Sequence, residues 1–508
     1  MNWKLLARGF KNADMRKRIF AVIGMMIVFR ILAHVPIPLA EPVQLKQILN
    51  NLLNDQNAPQ LLSFLNVLSG GALASLSIML VGLGPYINAS IIMQVLGKAI
   101  PKLENLQKEG EFGRRKINQY TRILTFPLAI IQSIGAIYLV RQVAGNAGGF
   151  GDVIAQASMS QWVLMISALT GGAMVLMWLG ELITEKSIGN GISLLITVGI
   201  VSQLPFIFST LFKELIDKSA SYSIFGLFDL PINGTWLLIT LGVVISTLLI
   251  TIFVVYLNEA QRPVKISYAK KIQGNRTYGD VSTVLPVKLV TAGVIPIIFA
   301  VAFLSVPQLV GRLLVGSTLA TDLSLTHWQS VGHKLVEWFS TPGSATATGV
   351  ADWTAFNTYI YPLTYLLLVM VFTYFYTNIV FNAKEISEQL QRQGGFIADI
   401  RPGKDTEKYL SKLVNRLNLF GAMSLGFLAL TPIIAQGLIG TSKLAIGGTS
   451  ILILVAVALE TMRQLESKAL MLTYDDYDRN LGPTEKNDET TKTSKNFGSF
   501  TKKLFTKK

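Results

Sequence analysis

The chain has 508 residues, of which 51% are apolar and only 15% are charged, and it carries a formal net charge of +15. Soluble proteins are about 25% charged, and apolar runs of about 20 residues recur here, so the composition predicts a polytopic α-helical membrane protein. The absence of cysteine excludes disulfides and thiol chemistry, and the three histidines have no partners at metal-ligand spacing. We expect neither a metal site nor a cofactor.

Apolar runs predict ten spans, which fall near residues 19–39, 77–97, 120–140, 161–184, 191–212, 235–257, 286–311, 359–382, 417–438 and 444–463. The first run is too long for the apolar core of a signal peptide and lacks a small-residue cleavage site behind it, so we interpret it as a retained span.

The positions of Lys and Arg predict the orientation. With the N-terminus in the cytoplasm and ten spans, the cytoplasmic segments hold 37 of the 45 Lys and Arg residues. Because cytoplasmic loops of membrane proteins carry the excess of basic residues, this asymmetry predicts that both termini are cytoplasmic.

Residues 61–75, just before the second span, contain no charged side chain but are rich in Ser, Asn and Gly. An external loop would account for this composition. So would a short helix that enters the membrane without crossing it, since such backbone is tolerated where it is buried in protein or lines a cavity.

Two long loops predicted to be cytoplasmic, 258–285 and 383–416, mix Lys and Arg with Tyr or Phe and contain glycines. They are either solvated connections facing lipid headgroups or docking surfaces for an anionic partner, such as ribosomal RNA or an acidic protein face. On the outside, residues 312–358 form the longest connection, and LTHWQSVGHKLVEWFS within it predicts an amphipathic helix at the membrane interface.

Five spans lie on each side of the 213–234 loop, with Pro85 in the second span and Pro296 in the seventh. An odd number of spans in each half favours inverted repeats. The predicted organisation is a cytoplasmic segment (1–18), an N-terminal half (19–212), an external hinge loop (213–234), a C-terminal half (235–465) and a basic tail (466–508), disordered from about 475.

Charges within spans mark function because they are costly there. Arg30 lies near the middle of the first predicted span, whereas Glu181 and Glu259 lie near cytoplasmic ends. No intramembrane carboxylate has a partner of the kind that proton relays use, and no G-x-S-x-G, H-E-x-x-H or P-loop motif occurs, so an enzyme is disfavoured.

Isoleucine recurs at helical spacing within spans. Ile87 and Ile91 share one face of the second span, and Ile196 and Ile200 share one face of the fifth. Taken alone, such pairs are more often packing or lipid-facing residues. Polar side chains inside spans, such as Asn88, Gln132 and Thr291, are ordinarily explained by hydrogen bonds between helices.

Nine motifs, in order, resemble those of the SecY family, the channel subunits of the bacterial preprotein translocase. They are VPIP (35–38), FLNVLSGGAL (64–73), GPYINASIIMQ (84–94), KEGEFGRRKINQYTR (108–122), SIGNGIS (187–193), YAKKIQGNR (268–276), LPVKLVTAGVIPIIFA (285–300), ADIRPGKDTEKYL (398–410) and GGTSILI (447–453). The resemblance covers about residues 15–478 and implies ten helices in two pseudo-symmetric inverted halves with a re-entrant plug helix.

The resemblance also implies site residues. A ring of six apolar side chains that closes the pore falls on Ile87, Ile91, Ile196, Ile200, Ile298 and Ile453. The plug falls on 61–75, including Phe64, Leu65, Asn66, Ser69, Gly70 and Gly71. The lateral opening, between spans two and three and spans seven and eight, includes Asn88, Gln132 and Thr291. The basic residues implied to bind cytoplasmic partners are Arg262, Lys265, Lys270, Lys271, Arg276, Arg392, Arg401 and Lys404.

The implied function is a protein-conducting channel in the bacterial cytoplasmic membrane. Its implied partners are SecE-like and SecG-like small membrane subunits, a SecA-like ATPase motor, the ribosome with its rRNA, signal peptides, nascent preproteins and anionic lipids. This chain departs from the family at Gln261-Arg262-Pro263, where two basic residues are common. The alternatives are a secondary transporter, which would need a substrate site at the midplane, and a membrane scaffold without a pore.

Overall fold

The computed structural model describes residues 12–37, 76–146, 158–205, 234–268, 282–293, 295–315, 327–340, 356–439 and 447–480, with short pieces at 209, 222–224, 228–230, 271–273, 276–278 and 342. The whole predicted plug (61–75) and Lys270 lie outside the described residues, as does the chain after 480.

Helices dominate the described chain. They are α1 (Ala13–Leu32), α2 (Gly84–Ala99), α3 (Pro101–Lys108), α4 (Glu111–Asn146), α5 (Met159–Glu185), α6 (Gly191–Val201), α7 (Gly234–Glu259), α8 (Ile295–Val315), α9 (His327–Phe339), α10 (Asn357–Val380), α11 (Ala383–Arg392), α12 (Lys404–Ile439) and α13 (Gly447–Asn480). Each predicted span corresponds in position to one of these helices.

Six described segments are helical, long and apolar enough to cross a membrane. They are Glu111–Tyr138, Met159–Glu185, Thr240–Glu259, Ile295–Val315, Asn357–Arg392 and Lys404–Thr431, and Gly191–Val201 is a shorter apolar helix. The all-α polytopic class is thereby confirmed, whereas the number of ten spans stays a prediction.

The first helix ends earlier than its apolar run predicts. α1 stops at Leu32, so Arg30 lies in its last turn and not near its middle. Pro36 and Pro38 explain the shorter helix, because proline lacks the N–H that would continue it. At the last turn a cation also faces the negative end of the helix dipole.

The second predicted span is helical only from Gly84, whereas the sequence predicts a start at Ser77. Residues 76–83 form turns, with Leu76 and Gly82 at positive φ. The Ile37 N–H donates to the Leu76 carbonyl at 2.8 Å, and the Ile78 N–H donates to the Val35 carbonyl at 3.0 Å. The turn segment is therefore tied to the chain that follows α1, and its buried backbone is satisfied by protein rather than by water.

The two long loops form one small sheet. β3 (Gln261–Tyr268) pairs antiparallel with β6 (Ser282–Lys288) from its own loop and with β7 (Gly395–Ile397) from the other. Val264 lies opposite Leu285, and Ile266 lies opposite Ile397. We call β3, β6, β7, α11 and the first turns of α12 the loop subdomain.

The sheet corrects the predicted start of the seventh span. Residues 282–288 are a strand, and α8 begins only at Ile295. Gly293 adopts φ +62°, which interrupts the backbone before the helix, and Pro296 is the second helical residue, where its fixed φ is favourable. Thr291 therefore lies in a turn that precedes the helix.

Two short hairpins complete the described strands. β1 (Tyr222–Ile224) pairs with β2 (Phe228–Leu230) within the predicted hinge loop, and β4 (Lys271–Gln273) pairs with β5 (Arg276–Tyr278) beyond the end of β3. Lys271 and Arg276 are thus placed on the hairpin that extends the loop subdomain.

The predicted amphipathic segment forms helix α9, which packs against α8 and α10. One apolar cluster joins side chains from most of the long helices, including α1, α2, α5, α6, α7, α8, α10, α12 and α13. The loop subdomain has its own smaller apolar cluster, which contains Val264, Ile266, Leu390, Ile397 and Leu410.

Candidate channel constriction and partner-binding surface

The six isoleucines implied to form the pore ring lie on four helices. Ile87 and Ile91 are on α2, and Ile196 and Ile200 are on α6. Ile298 is on α8, and Ile453 is on α13. Residues from four separate parts of the chain are therefore involved.

Five of the six side chains belong to one apolar cluster, and the sixth packs against it. Five are buried, with Ile196 the most enclosed at 2% exposure, and the half-buried Ile298 packs against the others' cluster. α8 packs against α2, and α13 packs against α6, so the four helices form two contacting pairs. The structure thus places the predicted ring residues in or against the apolar core that joins nine of the described helices.

The chemistry of this region is that of a barrier. Isoleucine offers no hydrogen-bond donor or acceptor, so a constriction lined by it excludes water and ions by dewetting. Branched aliphatic side chains also give a passing polypeptide no polar group to bind. These properties suit a seal that yields to a chain and then closes again.

The residues implied to line the lateral opening are on or next to neighbouring helices. Asn88 is buried on α2, and Gln132 is half-buried on α4. α8 packs against both of these helices. The Thr291 hydroxyl donates to the Lys288 carbonyl at 3.2 Å, which fixes the turn that leads into α8.

In the loop subdomain, strand β3 buries two apolar side chains and exposes two basic ones. Val264 and Ile266 are buried, whereas Arg262 and Lys265 are exposed. Residues on alternate sides of a strand face opposite directions, so the buried pair anchors the sheet to α11 and α12 while Lys265 points away from it. The two predicted cations are presented on a packed scaffold and not on a free loop.

Arg401 lies in the short turn between β7 and α12, and its side chain is exposed. The Thr406 hydroxyl donates to the Arg401 carbonyl at 2.9 Å, and the Ser387 hydroxyl donates to the Gly403 carbonyl at 2.7 Å. Gly403 adopts φ +98°, a conformation that favours glycine. The backbone that carries Arg401 is therefore fixed from both sides.

Exposed cations continue along α12 beyond those that the resemblance implies. Lys404 is followed by Lys408, Lys412 and Arg416 at intervals of four residues; all four are exposed, and each lies next to the following one on the helix surface, so they form a stripe. The spacing was visible in the sequence, but only the helix start at Lys404 shows that all four lie on one element. Arg392 on α11 is also exposed, 3.8 Å from Glu388, and such surface pairs contribute little.

Two ion pairs connect neighbouring helices in a way that the sequence does not predict. Arg122 on α4 contacts both carboxylate oxygens of Glu181 on α5, with Nη2–Oε2 at 2.6 Å and Nε–Oε1 at 2.9 Å. Arg463 on α13 contacts Glu259 at the end of α7 at 2.5 Å. The sequence placed both glutamates near helix ends but gave no sign of their partners.

The second pair lies next to the base of the loop subdomain. Burial, followed by the Arg463 guanidinium, lowers the pKa of the Lys288 amine, while the carboxylates of Glu460 and Glu259 oppose that shift. The end of β6 therefore lies beside charged residues on α7 and α13, of which Arg463 is about three helical turns from Ile453.

Metal-ligating side chains do not gather in the part of the chain that the structure describes: no group of three or more His, Cys, Asp or Glu residues there could hold a metal ion.

The helices, the buried irregular turn and the apolar cluster define an all-α polytopic membrane protein. The family model for SecY matches residues 77–462. The protein translocase subunit SecY of Streptomyces galbus is 37% identical over 475 residues, which cover 93% of this chain and 98% of that protein. The protein translocase subunit SecY of Corynebacterium glutamicum is 36% identical over 476 residues, which cover 92% of this chain and 98% of that protein. The chain belongs to the SecY family.

Solved structures share the fold. One described as the structure of a protein conducting channel has a TM-score of 0.57 at 19% identity and covers 87% of this chain and 90% of its own. The Sec61 channel in a canine ribosome–channel complex from the endoplasmic reticulum has a TM-score of 0.53 at 18% identity, with coverage of 87% and 90%. The resemblance found in the sequence motifs is confirmed.

Proposed function

We infer that the chain is the protein-conducting channel subunit of a preprotein translocase. It moves unfolded secretory proteins across the cytoplasmic membrane of a bacterium and releases apolar segments of membrane proteins sideways into the lipid. One observation carries this proposal: five isoleucines of the implied pore ring lie in one apolar cluster of a SecY-family chain, and the sixth, Ile298, packs against it.

The resting channel is sealed by the isoleucine ring, with residues 61–75 as the plug. The ring excludes water because it is narrow and apolar. The turn segment 76–83 supports this arrangement, since it joins the proposed plug to α2 and is hydrogen-bonded to residues 35–37. Movement of the plug would therefore start from a fixed point.

Sideways release requires the two halves to part between α2 and α4 on one side and α8 and α10 on the other. α8 is attached to α10 by aromatic contacts: Phe299 and Phe303 both lie with ring centroids 6.0 Å from that of Phe372. These contacts favour α8 and α10 moving together.

The chain itself has no enzymatic role in this proposal, so the energy comes from a SecA-like ATPase motor or from the translating ribosome. Both would dock on the loop subdomain, whose exposed cations suit an acidic protein face or rRNA. The stripe from Lys404 to Arg416 adds a surface for anionic lipid headgroups. SecE-like and SecG-like subunits complete the translocase, and both termini are cytoplasmic.

The proposal is tested by crosslinking an arrested secretory chain to photoreactive residues placed singly at Ile91 and Ile298. Labelling from both positions by one arrested chain is expected. A probe at Ile27, which is exposed on α1, serves as the control because it faces away from the cluster. Equal labelling from Ile27, or no labelling from the ring positions, would contradict a central pathway.

A further inference from the structure

The contact between α4 and α8 is unusually close at one point. If Gly135 on α4 carried a Cβ, that atom would lie 2.0 Å from Cδ1 of Leu309 on α8 and 3.2 Å from its Cγ. Cβ atoms essentially never approach other atoms that closely. Leu309 therefore occupies the space that any side chain at position 135 would need.

The opposite side of α8 is held by α9. A Cβ on Gly311 would lie 2.8 Å from the Gly332 carbonyl, and a Cβ on Gly332 would lie 2.8 Å from the Gly311 carbonyl. Close approach of two backbones through small residues is typical of tight helix pairs in membranes. The buried side-chain amide of Gln308 also donates to the Phe339 carbonyl. α8 and α9 are thus joined by backbone contact and a hydrogen bond.

These contacts are unequal in kind. α8 is fixed to α9 by close backbone contact between glycines and by a hydrogen bond, and it is fixed to α10 by aromatic contacts. Towards α4, the close approach is that of a leucine side chain to a glycine. A side chain added at Gly135 is accommodated either by a shift of Leu309 or by displacement of α8, together with α9 and α10, away from α4.

We propose that the Gly135–Leu309 contact sets the threshold at which the lateral opening parts, and so determines how apolar a signal sequence must be to open it. The proposal rests on the function inferred above and adds two specificity-determining residues. A tight fit favours the closed lateral opening, because separating α4 from α8 exposes the leucine and the bare glycine backbone. A looser or overfilled contact lowers the cost of parting, and weaker signal sequences then suffice.

The contact is tested first with paired cysteines, for which the natural chain gives no background because it has no cysteine. A Cβ at 135 lies 3.2 Å from Cγ of Leu309, so the two Cβ atoms are at most about 5 Å apart, close to the range of disulfides. Gly135→Cys with Leu309→Cys should crosslink in the resting channel and block export until a reductant is added. Failure to crosslink, or full export by the oxidised channel, would overturn the proposal.

The threshold is tested by the ratio of export with a defective signal sequence to export with an intact one, which cancels differences in protein level. Gly135→Ala should raise this ratio severalfold; about tenfold, the effect of roughly 1.4 kcal/mol, is the upper bound, because Cδ1 of Leu309 is the flexible end of its side chain and can shift. Gly171→Ala on α5 is the matched control, since nothing lies within 4 Å of a Cβ there. Its ratio should equal that of the parent.

A double-mutant cycle separates the contact from general loosening. Leu309→Ala removes the atoms that oppose a Cβ at 135, so the ratio for Gly135→Ala with Leu309→Ala should be well below the product of the single effects. Multiplicative effects, or no effect of either substitution, would refute the coupling. If these experiments fail while the probes at Ile91 and Ile298 still label a passing chain, the channel function stands and only the role of the Gly135–Leu309 contact is refuted.

Discussion

At the scale of single residues, the glycines of this chain differ sharply in what surrounds them. Gly171 and Gly172 are neighbours on α5, yet a Cβ at 171 would meet nothing within 4 Å. A Cβ at 172 would lie 2.1 Å from the Ile78 carbonyl oxygen. That atom belongs to the turn segment before α2, whose backbone is fixed by hydrogen bonds and cannot give way as a side chain can.

We therefore predict that Gly172→Ala destabilises the protein by about 1–3 kcal/mol, the usual cost of overpacking a well-filled site. Thermal unfolding of the purified protein in lipid nanodiscs measures the change. Gly171→Ala is the control and should not lower the unfolding temperature, because a Cβ there meets nothing and alanine is the better helix former. An equal effect of both substitutions would show that helix α5, rather than its contact with the turn segment, is responsible.

At the scale of elements, the loop subdomain converts two basic loops into one surface. Strand β7 joins β3 across a large separation in sequence, and the apolar cluster beneath the sheet fixes both loops to α12. Exposed cations bind a partner more tightly when their backbone is rigid, because less conformational entropy is lost on binding. Arg401, whose turn is held by Thr406 and Ser387, fits this description best.

Arg401→Glu should reduce motor-driven export at least tenfold while the protein still inserts into the membrane, because it reverses a charge at a fixed position on the proposed docking surface. Export into inverted membrane vesicles with added motor ATPase is the measurement. Lys384→Glu, at an exposed position on α11 of the same subdomain, is the matched control. Unimpaired export by Arg401→Glu would exclude that role.

At the scale of the whole molecule, the distribution of basic residues predicts which side of the membrane each loop occupies. The loop subdomain should be cytoplasmic and α9 external, since an odd number of predicted crossings separates Arg401 from the 327–339 helix. α8 connects the two regions, running from the end of β6 towards α9. A movement of α8 would therefore displace residues on both sides of the membrane.

This topology predicts the labelling of single cysteines introduced into the cysteine-free chain. A membrane-impermeant maleimide added to intact spheroplasts should label His327→Cys but not Lys404→Cys, and permeabilised cells should show both. The parent chain, which has no cysteine, should remain unlabelled. Labelling of both positions from outside would mean that the number of spans between them is even.

The sequence determined the class of the protein, the approximate positions of its long helices and its family. Each of these depends on local composition or on ordered motifs. Apolar runs of membrane length can be read directly because lipid imposes one requirement on every exposed span. The isoleucine pairs can also be read directly from the sequence, since residues i and i+4 share a helix face.

Only the tertiary structure decided where helices give way to other backbone and which distant residues meet. The late starts of α2 and α8 depend on partners elsewhere: residues 35–37 for the turn segment, and β3 for the strand that precedes α8. Gly135 and Gly171 look alike in the sequence, as glycines within apolar helices. What distinguishes them is whether another helix occupies the space of the missing Cβ, and that is a property of packing rather than of local composition.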